Sequence, residues 1–130
     1  MSSSAVALDV HGLRAGYDAY DVLQDIKIHV GAHERVGLFG PNGHGKTTLL
    51  NAVSKVIPVR RGSVGFMGES IEGLSARAIV ERGLIHVPQA NQLFPDMEIM
   101  ETLELAAYTA RARADAKSNL DYVLRLFPRL

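Results

Sequence analysis

The sequence predicts an α/β fold: a central, largely parallel sheet, an antiparallel β layer from the N-terminal strands, and the start of a helical subdomain. Three observations carry this reading. Apolar and polar residues alternate early in the chain, a continuous apolar run at 35–39 delivers a glycine-rich loop, and two late stretches repeat apolar residues at helical spacing.

Taken in order, residues 6–10 and 22–30 have strand character, the second placing Ile26, Ile28 and Val30 against Lys27 and His29. They read as antiparallel neighbours. Between them the segment 12–18 holds Gly12, Gly16 and Asp18 and reads as turn-rich. After a turn at 31–34, the apolar stretch 35–39 suits a central strand buried on both faces. A helix follows over 47–53. Pro58 and the Arg60, Arg61, Gly62 cluster then break the pattern before a strand at 63–67. Ser75 is placed to cap a helix that runs to about Arg82 and stops at Gly83. A short apolar run at 84–87 has the profile of a strand delivering Pro88 and Gln89. Leu103, Leu105, Ala106 and Tyr108 predict one helix over 99–113, and Leu120, Val123, Leu124 and Phe127 predict another over 115–127.

Composition narrows the function classes. At 130 residues the chain is one domain or part of one. Lys plus Arg and Asp plus Glu number 14 each, so no excess of charge argues for nucleic acid or an anionic lipid surface. There is no cysteine, which excludes disulfides, thiolate zinc sites and a cysteine nucleophile. The first residues lack a secretion signal, and no apolar run approaches the roughly 20 residues of a membrane span. The expectation is a soluble, cytoplasmic chain that meets a membrane only through a partner. His11, His29, His33 and His86 show no metal-ligand spacing and read as surface or core residues.

The chemistry concentrates in Gly40, Pro41, Asn42, Gly43, His44, Gly45, Lys46, Thr47 and Thr48, a loop of pattern G-x-x-x-x-G-K-[ST] between a predicted strand and a predicted helix. Glycines let the backbone wrap so that its N–H groups point at phosphate oxygens, and a side chain at Gly45 would intrude. Lys46 places a positive charge beside the β and γ phosphates, while the Thr47 hydroxyl can ligate a magnesium ion bridging them. The positive end of the following helix faces the same anion. His44 is expected to point its side chain away and lend the cradle only its backbone N–H.

With these residues the chain resembles the first half of an ABC transporter ATP-binding subunit. Tyr17 lies 29 residues before Lys46, where this family places an aromatic that stacks on adenine, and Gln89 follows Lys46 by 43, in a Val87-Pro88-Gln89 segment similar to the family's glutamine loop. Leu93, Phe94 and Pro95 with Ile99 and Leu103 are similar to the opening of the helical subdomain, which in the family faces the membrane subunit. The stretches 13–17 and 87–95 resemble branched-chain amino acid importer subunits in particular, and urea or amide importers have very similar ones. The resemblance implies a partial ABC ATP-binding domain over 1–130, with a nucleotide-binding core portion at 1–88 and the glutamine loop and start of the helical subdomain at 89–130. It also implies that Tyr17, Gly40, Asn42, Gly43, Gly45, Lys46, Thr47 and Thr48 bind ATP. Thr47 and Gln89 serve magnesium, and Lys46 and Gln89 assist catalysis, Gln89 by positioning water and coupling the site to the membrane partner.

The same resemblance implies transmembrane permease subunits and a second ATP-binding subunit as partners, at the inner face of the cell membrane, with no role for nucleic acid. The family's later carboxylate pair, Ser-Gly-Gly signature and switch histidine do not occur in these 130 residues. The expectation is therefore a fragment whose turnover alone is impaired, with a nucleotide-binding module lacking turnover as the rival reading. An unpaired sheet edge predicts low stability or poor solubility for the isolated chain. Asp9 ends an apolar run like a magnesium-binding Asp but precedes Tyr17, so it is assigned to a strand end. Glu98 stands where the family often has Thr, three residues before Glu101, so the reciprocal cap is expected to be lost, with Asp96 as a substitute.

Overall fold

A computed structural model of the chain describes residues 6–89 and 94–130. The chain divides into two compact units, Met1–His86 and Val87–Leu130. Of the segment 87–95, residues 90–93 lie outside the described residues, as do residues 1–5.

The first unit is built on a four-stranded antiparallel sheet in the order β2-β1-β3-β4, with β1 at Val6–Tyr17, β2 at Tyr20–Gly31, β3 at Val59–Phe66 and β4 at Glu69–Ser70. The expected pairing of the first two strands is present, in a register that sets Asp9 opposite His29 and Tyr17 opposite Tyr20. Both strands are longer than expected. Residues 12–17 do not form a separate turn: β1 runs through them with irregular steps in its pairing, and only Asp18 and Ala19 turn the chain, Asp18 at a φ of 48°. Likewise Arg60, Arg61 and Gly62 do not interrupt β3, because β1 pairs with that strand on both sides of them. Pairing along a long neighbour thus overrides local turn propensity.

Two expected strands are not formed. Residues 35–39 and 84–87 are irregular; the apolar side chains of 35–39 and those of Ile85 and Val87 are open to solvent, with Phe39 91% and Val87 81% exposed, while Leu84 is half-buried against the core. A strand is held by ladder bonds to a neighbour, and among the described residues neither run has one. The α/β class therefore stands with its antiparallel layer assembled and no parallel strand pair among the described residues.

Helix α1, Lys46–Val53, buries Thr48, Leu49, Ala52 and Val53, one face of a 3.6-residue period. That face joins Val10, Leu13, Leu23, Val64, Ile71 and other apolar residues in a single core. Helix α2, Ala76–Arg82, begins and ends as its sequence predicts. The Ser75 hydroxyl accepts from the Ala78 N–H at 3.2 Å, and Gly83 closes the helix at a φ of 100°.

The second unit carries α3 at Ile99–Ala106, α4 at Ala110–Ala114 and α5 at Ala116–Leu126. The single helix expected over 99–113 is broken, since Thr109 is buried and its hydroxyl accepts from the Ala112 N–H at 3.1 Å, starting a new helix. The expected loss of the cap at Glu98 is also corrected. Glu98 is itself the N-cap, and the Glu101 carboxylate accepts from its backbone N–H at 3.0 Å, so the back-reaching half of the box forms without a threonine.

Candidate functional site

The glycine-rich loop sits at the N-terminus of α1. Gly45 is the N-cap residue, in the left-handed region at a φ of 84°, and no side chain caps the helix there. The first backbone bond of the helix runs from the Leu49 N–H to the Gly45 carbonyl at 2.8 Å. The amides of Lys46, Thr47 and Thr48 therefore have no carbonyl within the helix, as for any first turn. Unspent N–H groups and the positive helix end together form an acceptor for anions.

Gly45 is needed for a second reason, which concerns the sheet. A Cβ built on it would lie 3.0 Å from Leu23 Cδ2 and 3.3 Å from Val22 Cγ1. The end of the loop is thus pressed onto β2, and the intrusion foreseen for a side chain there falls on that strand. Gly43 shares the left-handed backbone, with a φ of 84°, but faces open space.

Lys46 bends back over its own loop, its Nζ donating to the Gly40 and Pro41 carbonyls at 2.7 Å each. This holds the ammonium group against the loop, ready to exchange carbonyl partners for phosphate oxygens. His44 turns to the loop as well, its Nδ1 contacting the Asn42 carbonyl at 3.2 Å. The Thr47 side is exposed and Thr48 is buried.

Tyr17 is the last residue of β1 and 45% exposed. Its phenol oxygen accepts from Asn51 Nδ2 at 3.1 Å, a contact that unites the aromatic residue with α1. The hairpin end that presents Tyr17 is clasped by Arg60, whose guanidinium pairs with the Asp21 carboxylate at 2.6 Å and also donates to the Asp18 carbonyl. Asn51 was not named from the sequence, and Arg60 entered there only as part of a cluster expected to break the strand pattern. Only their separation from Tyr17 along the chain, 34 and 43 residues, hid a relation that the fold makes local.

The first unit therefore holds Tyr17, Gly40, Asn42, Gly43, Gly45, Lys46, Thr47 and Thr48 on one hairpin end, one loop and one helix. Gln89 is exposed and belongs to the second unit. Asp9 is not at a strand end as expected: β1 continues past it to Tyr17 and pairs it with His29 on one side and Gly65 on the other, because both neighbouring strands carry β1 through. His11 Nε2 contacts its carboxylate at 2.8 Å and His29 Nδ1 at 3.5 Å, and the bond from His11 holds the Asp9 carboxyl below the usual carboxylate range, against a smaller opposing effect of burial. These three do not form a metal cluster, and no such cluster occurs among the described residues.

The donor set suits a triphosphate with a divalent cation: free amides and an ammonium group for the anion, and an accessible threonine hydroxyl for a hard cation that prefers oxygen. No helix among the described residues is long and apolar enough to cross a membrane.

Comparison with known proteins agrees with this chemistry. Residues 23–127 match the ABC transporter family. The chain is 31% identical to the probable branched-chain amino acid transport ATP-binding protein of Archaeoglobus fulgidus, covering 91% of this chain and 50% of that protein. It is 35% identical to the Nod factor export ATP-binding protein I of Ralstonia nicotianae, covering 78% of this chain and 31% of that one. Among solved structures, an ATP-binding subunit of an ABC transporter superposes with a TM-score of 0.77 at 29% identity, over 94% of this chain and 50% of that subunit. The chain spans half or less of the length of these relatives.

Proposed function

This chain belongs to the ABC transporter family, and from that premise we propose that it is the nucleotide-gripping portion of a subunit that couples ATP binding and hydrolysis to solute uptake. The observation that carries the reading is the capless first turn of α1 behind Gly45, with Lys46 folded over the same loop.

In this scheme the amides from Asn42 to Thr48 and the Lys46 ammonium receive the phosphates, and Gly40, Gly43 and Gly45 let the backbone reach them. Tyr17 offers its ring face to adenine. Thr47 and Gln89 would hold magnesium, which when bound neutralises charge on the phosphates. Gln89 also orients the attacking water and passes the state of the site to a membrane partner. Phosphoryl transfer is governed by positioning and charge stabilisation, so each of these groups acts by placement rather than by covalent chemistry.

The partners that follow are transmembrane permease subunits and a second ATP-binding subunit, which puts the working protein at the inner face of the cell membrane. Branched-chain amino acids are the solute class favoured, on the similarity to the archaeal transport protein. Titration of ATP into the chain with and without the Lys46→Ala substitution tests the core of the reading. Loss of at least tenfold in affinity is expected, and unchanged affinity would overturn it.

A further inference from the structure

Asn51 stands on α1 five residues beyond Lys46, about 7.5 Å further along the helix axis. Its backbone is fixed: its carbonyl accepts from the Val56 N–H at 2.8 Å and the Ile57 N–H at 3.3 Å, closing the helix end. Its side-chain amide donates to the Tyr17 phenol oxygen at 3.1 Å. A rigid helix that bears Lys46 and Thr47 at one end thus reaches the aromatic residue from its next turn.

Tyr17 has need of such a tether. It is the last residue of β1, beside a two-residue turn, and nearly half exposed, so sheet pairing fixes its backbone but not its ring. A ring free to swing about its Cα–Cβ bond must be ordered when a base stacks on it, and that ordering reduces affinity. A hydrogen bond at the far tip of the ring removes part of the cost in advance.

We propose that Asn51 is a positioning residue for the base platform: by holding the Tyr17 phenol oxygen it makes one helix set both the phosphate grip and the pose of the aromatic ring. This rests on the reading that Tyr17 receives a nucleobase. The amide touches the ring from the protein side and has no contact with the nucleotide in this scheme.

The test separates base from phosphate by using two probes, Mg-ATP and inorganic tripolyphosphate, on the 130-residue chain. Asn51→Ala and Tyr17→Phe should each weaken Mg-ATP about three- to tenfold, from loss of one hydrogen bond, and leave tripolyphosphate unchanged. The double variant should be no weaker than either single one. Tyr17→Phe is the decisive member, because a ring that merely stacks tolerates loss of its hydroxyl. If Tyr17→Phe binds Mg-ATP normally, or if Asn51→Ala weakens both probes alike, the proposal fails. Alanine favours the helix at position 51, so a folding defect is not expected there, and circular dichroism checks it. Lys46→Ala should weaken both probes; if it weakens neither, the nucleotide reading falls and this inference with it.

Discussion

His86 and Ser54 meet at 3.0 Å, Nδ1 to Oγ, at the end of α1 away from the glycine-rich loop. The Ser54 hydroxyl also lies 2.6 Å from the Leu50 carbonyl, a separation at which two oxygens repel unless a proton lies between them. Its one proton is therefore spent on Leu50, and Ser54 Oγ accepts while His86 Nδ1 donates. This anchors the last residue of the first unit, three positions before Gln89, to the helix that begins at Lys46.

Ser54→Ala removes both bonds and strands a partly buried imidazole N–H, so we expect a loss of about 1–2 kcal/mol. His86→Asn should cost less than His86→Ala, since an asparagine amide can place a donor near the Nδ1 position. Urea denaturation of the three variants measures both differences. Equal loss in the two His86 variants would show that the imidazole acts through packing rather than as a donor.

Gly45→Ala is expected to destabilise the first unit by about 1–3 kcal/mol, from a left-handed backbone and from contact with Leu23. Gly16→Ala should be worse. The new Cβ would fall 1.9 Å from the Tyr20 carbonyl oxygen, backbone against backbone, so the hairpin end that carries Tyr17 cannot close as it stands. Melting temperatures of the two variants, read against Gly43→Ala, which meets no neighbour, rank the three costs.

Arg60 joins β3 to the hairpin end by two charge-assisted bonds, one to the Asp21 carboxylate of β2 and one to the Asp18 carbonyl of the turn, with its side chain and that of Asp21 each about 30% exposed. Replacement by alanine should cost about 1–2 kcal/mol, and replacement by lysine should recover little of it, because a single ammonium group cannot reproduce the planar fork. Hydrogen exchange at Tyr20 and Asp21 checks where the loss is felt: protection there should fall more than at Leu8.

Stability should depend on acid through Asp9. Its carboxyl is held below its ordinary value in the folded chain, so ionised Asp9 adds stability that is complete above the ordinary carboxylate range and is lost as pH falls through the lowered folded value. Asp9→Asn removes the contribution at all pH values. The gap in denaturant midpoint between the two proteins should be present at pH 6 and narrow as pH falls below the ordinary carboxylate range; a gap that does not change with pH would exclude the carboxylate as its source.

Much of the fold was legible where the signal is local. Ser75 and Gly83 bound α2 by their own hydrogen-bonding and backbone preferences, and the loop from Gly40 to Thr48 was read residue by residue because its chemistry is carried by contiguous positions. The turn assigned to 12–18 failed because β1 had neighbours on both sides to carry it through. The single helix over 99–113 failed because apolar periodicity outweighed the capping preference of Thr109, a signal that was present and not used.

By itself the sequence determined the kind of chemistry: the glycines, lysine and threonines of one loop suffice to name a phosphate site, since the amides that bind are supplied by consecutive residues. Tertiary structure alone decided how that loop is held and what stands around it. The press of Gly45 on Leu23, the amide of Asn51 on Tyr17, the clasp of Arg60 on the hairpin and the bond of His86 to Ser54 all join residues more than twenty positions apart. Such pairs leave no periodic trace along a chain, because each contact exists only after sheet pairing and core burial have brought its two halves together.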